Sequence, residues 1–97
     1  MAARPSREAV ARWNDAYSEQ TAALFAAMRA QPHDVAAIRR LARGYLSVAI
    51  AWRSLAADLA VPMWARHASV IAAEEFERRA QLEDTRADLA SIEGQDL

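Results

Sequence analysis

Apolar positions recur every three or four residues in three segments of the chain, and two short breaks separate the segments. This spacing places them on one face of an α-helix, and in none of the segments do apolar and polar residues alternate as in a half-buried strand. The pattern predicts helices at about residues 7–30, 35–60 and 63–93, followed by a frayed tail at 94–97. Pro32 ends the first helix, because proline lacks an N–H and restricts the residue before it.

The middle segment has the most regular repeat. Two rows of residues seven apart run along it, namely Val35, Ala42, Ala49 and Ala56 in one row and Ile38, Tyr45, Trp52 and Leu59 in the other. Two such rows form the contact seam of a coiled coil. Further leucines and a valine beside the rows widen the apolar face. We therefore expect the middle helix to be central, to contact more than one neighbour and to bury its second row, either in the monomer or in an interface.

The third segment changes character halfway, from an apolar first half to a heavily charged stretch at 74–93. Pro62, just before it, either ends the second helix or kinks one continuous helix, and we favour separate helices. Connections this short make consecutive helices antiparallel neighbours. The predicted fold is a single all-α domain, a helical hairpin or up-down-up three-helix bundle with coiled-coil-like association.

Alanine occupies 25 of the 97 positions and buries little surface. A lone bundle of long helices with such a core is expected to be marginal, so we predict a homo-oligomer. Each predicted helix carries one tryptophan. Either the three tryptophans form the core of the monomer, or one or two anchor an interface, where tryptophan is enriched. The interface candidates are Trp52, Trp64, Val70 and Ile71.

The formal net charge is −1, and all twelve basic residues are arginine. A charge near zero argues against wrapping nucleic acid by bulk electrostatics. Arg39, Arg40 and Arg43 nevertheless cluster early in the second helix, and Arg29 lies near the end of the first. Arginine binds phosphate or carboxylate through a planar fork. These four residues are candidates for contact with nucleic acid or an acidic partner, and a solvated helix face is the alternative.

The sequence predicts no catalytic, cofactor or metal site. Cysteine is absent, which excludes a thiol nucleophile and thiolate metal ligands. No acidic residue lies three or four positions from His67, and no G-x-S-x-G motif occurs. Glu74, Glu75 and Glu77 are followed by Arg78 and an adjacent arginine, so an ion-paired helix face is expected there.

The N-terminus lacks the apolar segment of a secretory signal. The longest apolar stretch, at 45–61, contains charges and is shorter than the roughly 20 residues of a membrane span. We therefore expect a cytoplasmic protein without a membrane partner, and the arginine- and alanine-rich composition is typical of bacteria or their phages.

In length, helicity and composition the chain resembles the oligomerisation part of phage small terminase subunits, which are compact, helical and ring-forming. No motif carries this resemblance, so it assigns no residue. The main functional hypothesis is a small non-enzymatic interaction module, such as an adaptor, scaffold or regulatory subunit, that binds itself and another protein. The alternative hypothesis is a phage-like nucleic-acid-associated component of the packaging or regulatory type.

Overall fold

A computed structural model describes the backbone of residues 6–95 and the side chains of residues 6–94. The chain forms three α-helices, α1 (Arg7–Arg29), α2 (Val35–Ala57) and α3 (Met63–Gln95). No strand occurs between residues 6 and 95, so the predicted all-α class is confirmed. The tail predicted at 94–97 is helical at its first two positions, because α3 continues through Gly94, and its last two residues lie outside the described part.

Side-chain caps set the starts of α1 and α2. Ser6 Oγ accepts a hydrogen bond from the backbone N–H of Ala9 at 3.0 Å. Asp34 Oδ1 accepts one from the N–H of Ala37, also at 3.0 Å. Each bond satisfies an N–H that has no partner inside its own helix. Pro32 lies between the two helices, as its missing N–H predicts.

The connection between α2 and α3 begins earlier than the predicted boundary near residue 60. α2 ends at Ala57, and Asp58 Oδ1 accepts a hydrogen bond from the N–H of Ala60 at 2.9 Å, which forms a local turn. Leu59 has thus left the helix and is 84% exposed in the single chain, so the monomer does not bury it, and its burial in an interface stays a prediction. Pro62 directly precedes α3, and the two helices are separate as predicted.

The middle helix is central, and α1 and α3 each pack against it. α1 runs antiparallel to α2, since Ser6 at the start of α1 contacts Asp58 at the end of α2, and Glu19 in the middle of α1 contacts Arg40 in the first half of α2. α3 is also antiparallel to α2. Within the described residues α1 and α3 do not approach each other along their backbones. The result is an up-down-up bundle in which α1 and α3 lie farther from each other than either of them lies from α2.

Small residues allow the close contacts on both sides of α2. A Cβ atom on Gly44 would lie 3.0 Å from the Cα of Gln20, so the backbones of α1 and α2 touch there. Ile38 of α2 packs against Ala87 and Ala90 of α3. Between residues 63 and 94 the buried residues of α3 are all small, namely Ser69, Ala73, Ala80, Ala87 and Ala90.

Aromatic rings fill the wider gap between α1 and α3. Trp13 and Trp52 meet edge to face with centroids 5.4 Å apart, and Tyr17 meets Phe76 in the same way at 5.7 Å. Trp52 Nε1 donates a hydrogen bond to Tyr17 Oη at 3.1 Å. Tyr45 adds a fifth ring, 6.1 Å from Phe76. These large side chains connect all three helices where alanine is too small to reach.

Candidate protein interface

Most of the large apolar side chains of α3 point away from the rest of the fold, whereas Phe76 joins the aromatic cluster. Besides Met63, the first residue of the helix, five of them are more than half exposed, namely Trp64, Ile71, Leu82, Leu89 and Ile92. They belong to one row whose members are alternately four and three residues apart. We call this row the outer stripe: Trp64, Ala68, Ile71, Glu75, Arg78, Leu82, Thr85, Leu89 and Ile92. Such spacing keeps the whole row on a single helix face.

The outer stripe and the buried residues of α3 occupy opposite sides of the helix. Residues two positions apart are rotated by about 200°, because an α-helix has 3.6 residues per turn. Each of three buried alanines lies two positions from an exposed member of the stripe: Ala73 and Ile71, Ala80 and Leu82, Ala87 and Leu89. α3 therefore presents small residues to α2 and large apolar residues to solvent.

The stripe is long and has a charged centre. It covers residues 64–92, or four heptads, which is roughly 42 Å at 1.5 Å per residue. At its centre Glu75 Oε1 accepts hydrogen bonds from Arg78 Nη2 at 2.6 Å and Arg79 Nε at 3.1 Å. These bonds, with Arg78 contributing most, lower the pKa of Glu75 to about 2. Glu75 is therefore ionised at neutral pH, and opposite charges lie side by side between two apolar halves.

An apolar groove continues the stripe at the start of α3. Its volume is about 480 Å³, and its walls include Leu55, Val61, Pro62 and Trp64. Val61 is buried and Trp64 is 76% exposed. One wall of the groove is thus the first residue of the outer stripe, so an apolar side chain approaching the stripe from this end has a recess to enter.

The four interface candidates differ in their exposure and in their place in the fold. Trp64 and Ile71 are exposed on the outer stripe, and Val70 beside them is half-buried. Trp52 is half-buried within the aromatic cluster and donates its indole hydrogen bond there. The role of each in an interface stays a prediction. Sequence reasoning did not choose Leu82, Leu89 and Ile92 as interface candidates, although their heptad spacing from Trp64 and Ile71 was the available signal.

The four candidate arginines do not form one free cluster. Arg39 Nη2 lies 2.9 Å from Asp88 Oδ1 on α3 and Arg39 Nη1 lies 3.8 Å from Asp84 Oδ1, whereas Arg40 Nη2 lies 3.1 Å from Glu19 Oε1 on α1. Arg29 and Arg43 make no ion pair with carboxylates of the described residues. Two of the four side chains thus fasten α2 to its neighbours, and phosphate binding by this group stays a prediction.

Other chemistry in the described part of the chain is sparse. His33 Nδ1 lies 3.2 Å from Glu93 Oε2, with both side chains largely exposed. Between residues 6 and 95 no group of three or more histidines and acidic residues is placed to hold a metal ion. No helix in this range combines the length and apolar character that a membrane crossing requires.

Comparison of the chain with protein-family models, with curated proteins and with solved structures found no match. The function is therefore argued from the geometry, in which the outer stripe of α3 is the most extended feature that the fold itself does not use.

Proposed function

We propose that the protein is a small non-enzymatic interaction module that associates with itself through the outer stripe. The observation that carries this proposal is the exposure of five large apolar side chains along one face of α3. Exposed apolar patches rimmed by polar residues mark interaction sites, and the outer stripe offers two apolar halves on either side of its charged centre. Removing this surface from water stabilises the associated state by about 25 cal/mol per Å².

Association also compensates for the thin core of the single chain. The contact between α2 and α3 buries alanines on the α3 side, and alanine contributes little apolar area. A second molecule that binds only the folded chain stabilises it by mass action. The folded state and the assembly are then coupled, so thermal stability rises with protein concentration.

Pairing through α3 leaves apolar side chains on the other helices available to a different protein. Phe25 and Met28 on α1 are exposed, as are Leu46 and Ile50 on α2. These groups support an adaptor, scaffold or regulatory role, in which one face holds the assembly together and others bind a second protein.

Replacing Leu82 with aspartate tests this proposal, because it places a charge in the outer stripe without touching the inner face. The matched control is Ile50→Asp, which changes an equally exposed residue on α2. Light scattering at a series of concentrations should show an oligomer for the native protein and for Ile50→Asp, and a monomer for Leu82→Asp. Circular dichroism should show the same helicity in all three. A native protein that stays monomeric at hundreds of micromolar would overturn the proposal.

Nucleic-acid association is the alternative proposal, and the ion pairs of Arg39 and Arg40 weigh against it. Binding to phosphate would have to replace contacts that these side chains already make with carboxylates. Filter binding to duplex DNA at 50 mM salt, with an Arg39→Ala/Arg40→Ala/Arg43→Ala variant as comparison, tests this alternative. Contacts to phosphate weaken steeply as salt rises.

A further inference from the structure

The outer stripe is suited to a second copy of this chain because of the order of its residues. When two identical helices pair in parallel, each residue faces the same residue of the other helix. Arg78 would then face Arg78, and Glu75 would face Glu75. Like charges at the centre of the seam oppose that arrangement.

An antiparallel pair removes this conflict in one register. When Ile71 faces Leu82 of the second copy, Arg78 faces Glu75, and two-fold symmetry repeats both contacts. The same register places Trp64 against Leu89 and Thr85 against Ala68. Every large apolar residue of the stripe from 64 to 89 thus meets an apolar residue, and the two charges meet their opposites.

Neighbouring registers lack this match. A shift by one heptad in one direction places Glu75 against Ile71 of the second copy. A shift in the other direction places Arg78 against Leu82. Either shift sets charged groups against apolar side chains, which costs desolvation energy without a compensating partner.

The apolar groove supplies an independent observation for the same register. Ile92 is the last residue of the stripe and is 55% exposed. In this register Ile92 lies one turn beyond Leu89, which faces Trp64 of the second copy, and so reaches the connection before α3 that holds Val61. Val61 and Trp64 both line the groove. A recess of about 480 Å³ therefore stands where the end of the partner stripe arrives.

The charges at the centre can change partners without leaving Glu75 unpaired. Glu75 Oε1 accepts hydrogen bonds from both Arg78 and Arg79. If Arg78 turns to Glu75 of the second copy, Arg79 still contacts Glu75 of its own chain.

From these matches we propose that two copies pair antiparallel along α3, with Ile71 facing Leu82, Arg78 facing Glu75 and Ile92 entering the groove beside Trp64 of the second copy. This inference rests on the proposed self-association and adds its partner, orientation and register.

Charge reversal at the centre tests the register. Arg78→Glu sets acidic groups against Glu75 of the second copy, and Glu75→Arg sets basic groups against Arg78, so each variant alone should associate about tenfold more weakly than the native chain. An equimolar mixture of the two variants should regain native affinity, because acidic and basic groups then face each other at both central contacts. Arg86→Glu is the control, since Arg86 forms a similar pair with Glu83 on α3 outside the stripe.

Sedimentation equilibrium measures these affinities, and its outcomes distinguish the two proposals. A monomeric native protein overturns both. A native oligomer that Leu82→Asp dissociates, but in which Arg78→Glu and Glu75→Arg bind as well as the native chain, supports self-association and overturns the register. In a parallel pair the native chain would have like charges facing each other, and the mixture would replace them with opposite charges. A mixture that binds more tightly than the native chain therefore indicates parallel pairing and also overturns the proposed register.

Spin labels give a second measurement of orientation. The chain has no cysteine, so His67→Cys introduces a single labelling site at an exposed position beside the stripe. In the proposed register the two labels lie on the order of 30 Å apart along the helix axes, at 1.5 Å per residue. Parallel pairing would bring them within about 15 Å, since equivalent positions then lie side by side across helices packed 8–10 Å apart, and that result would refute the proposal.

Discussion

The two faces of α3 are both apolar, but they differ in the size of their side chains. The inner face carries alanines that are buried against α2, and the outer stripe carries tryptophan, leucine and isoleucine that stay exposed. Hydrophobicity alone would favour burial of the larger residues. The arrangement shows that complementary size, and not total apolar area, decides which face packs inside the fold.

The side of α2 that faces α3 explains this choice. It already carries large residues, among them Ile38, which packs against Ala87 and Ala90. A protein interior is close-packed, so large side chains on one helix need small ones opposite. Ion pairs from Arg39 to Asp88 and from Arg53 to Glu77, with N···O distances of 2.9 and 2.6 Å, also hold α3 in its observed rotation.

The same deletion should have very different effects on the two faces. Ile38→Ala removes a buried side chain that is 3% exposed and should lower the free energy of unfolding by about 3 kcal/mol through lost burial and a residual cavity. Ile71→Ala, on the outer stripe, should change the stability of the monomer by less than about 0.5 kcal/mol. Urea unfolding, carried out at a protein concentration too low for association, measures both changes in stability. Equal losses would contradict the assignment of the two faces.

Enlarging a residue should destabilise the fold at the inner face and strengthen association at the outer stripe. Ala87→Leu adds three carbons where the side chain is fully buried and should destabilise the fold by about 1–3 kcal/mol through overpacking. Ala68→Leu makes the same change at an exposed position of the stripe and should leave the monomer unaffected while strengthening association. Thermal unfolding and light scattering separate these effects. Similar unfolding temperatures for the two variants would show that the contact between α2 and α3 contains unfilled volume, which would contradict the prediction of overpacking.

The two glycines extend the comparison to the contact between α1 and α2. Gly44→Ala places a Cβ atom 3.0 Å from the Cα of Gln20, so α1 must shift. This should outweigh the roughly 1 kcal/mol gain in helix propensity and give a net loss of about 1 kcal/mol. Gly94→Ala meets no atom within 4 Å and should be neutral or slightly stabilising. A stabilised Gly44→Ala variant would show that the helices are not in close contact.

Acid should weaken the carboxylate hydrogen bonds on both faces of α3, with a smaller effect on stability than the substitutions above. Hydrogen bonds from Arg78 and Arg79 lower the pKa of Glu75 to about 2, and two hydrogen bonds from Arg53 lower the pKa of Glu77. A lowered carboxyl pKa stabilises the fold above its ordinary value near 4.5, and that contribution is lost as pH falls through the folded value.

Unfolding temperatures between pH 5 and pH 2 check this effect in two variants. Glu77→Gln should reduce the acid dependence of tertiary stability, since Glu77 joins α3 to α2. Glu75→Gln should mainly reduce the acid dependence of association, because its intramolecular partners lie within α3. Identical behaviour of the two variants would contradict the difference between the faces.

The sequence by itself determined the helices and most of their limits. Ser6 and Asp34 cap the first two helices, and Pro32 separates them, through hydrogen bonds and restrictions local to a few residues. Such features act within one turn of a helix and need no neighbour. The central position of α2 also followed from the width of its apolar face, which one neighbour could not cover.

Tertiary structure alone decided how α3 is rotated and how its apolar residues are divided. Phe76 and Leu82 are both large apolar residues of the charged second half of α3, yet Phe76 joins the aromatic cluster, whereas Leu82 faces solvent, as Leu89 and Ile92 do. Apolar residues occur on both sides of this helix, so periodicity cannot select one. The choice depends on the shape of α2 and on ion pairs with residues distant in the chain, and only the assembled fold brings these together.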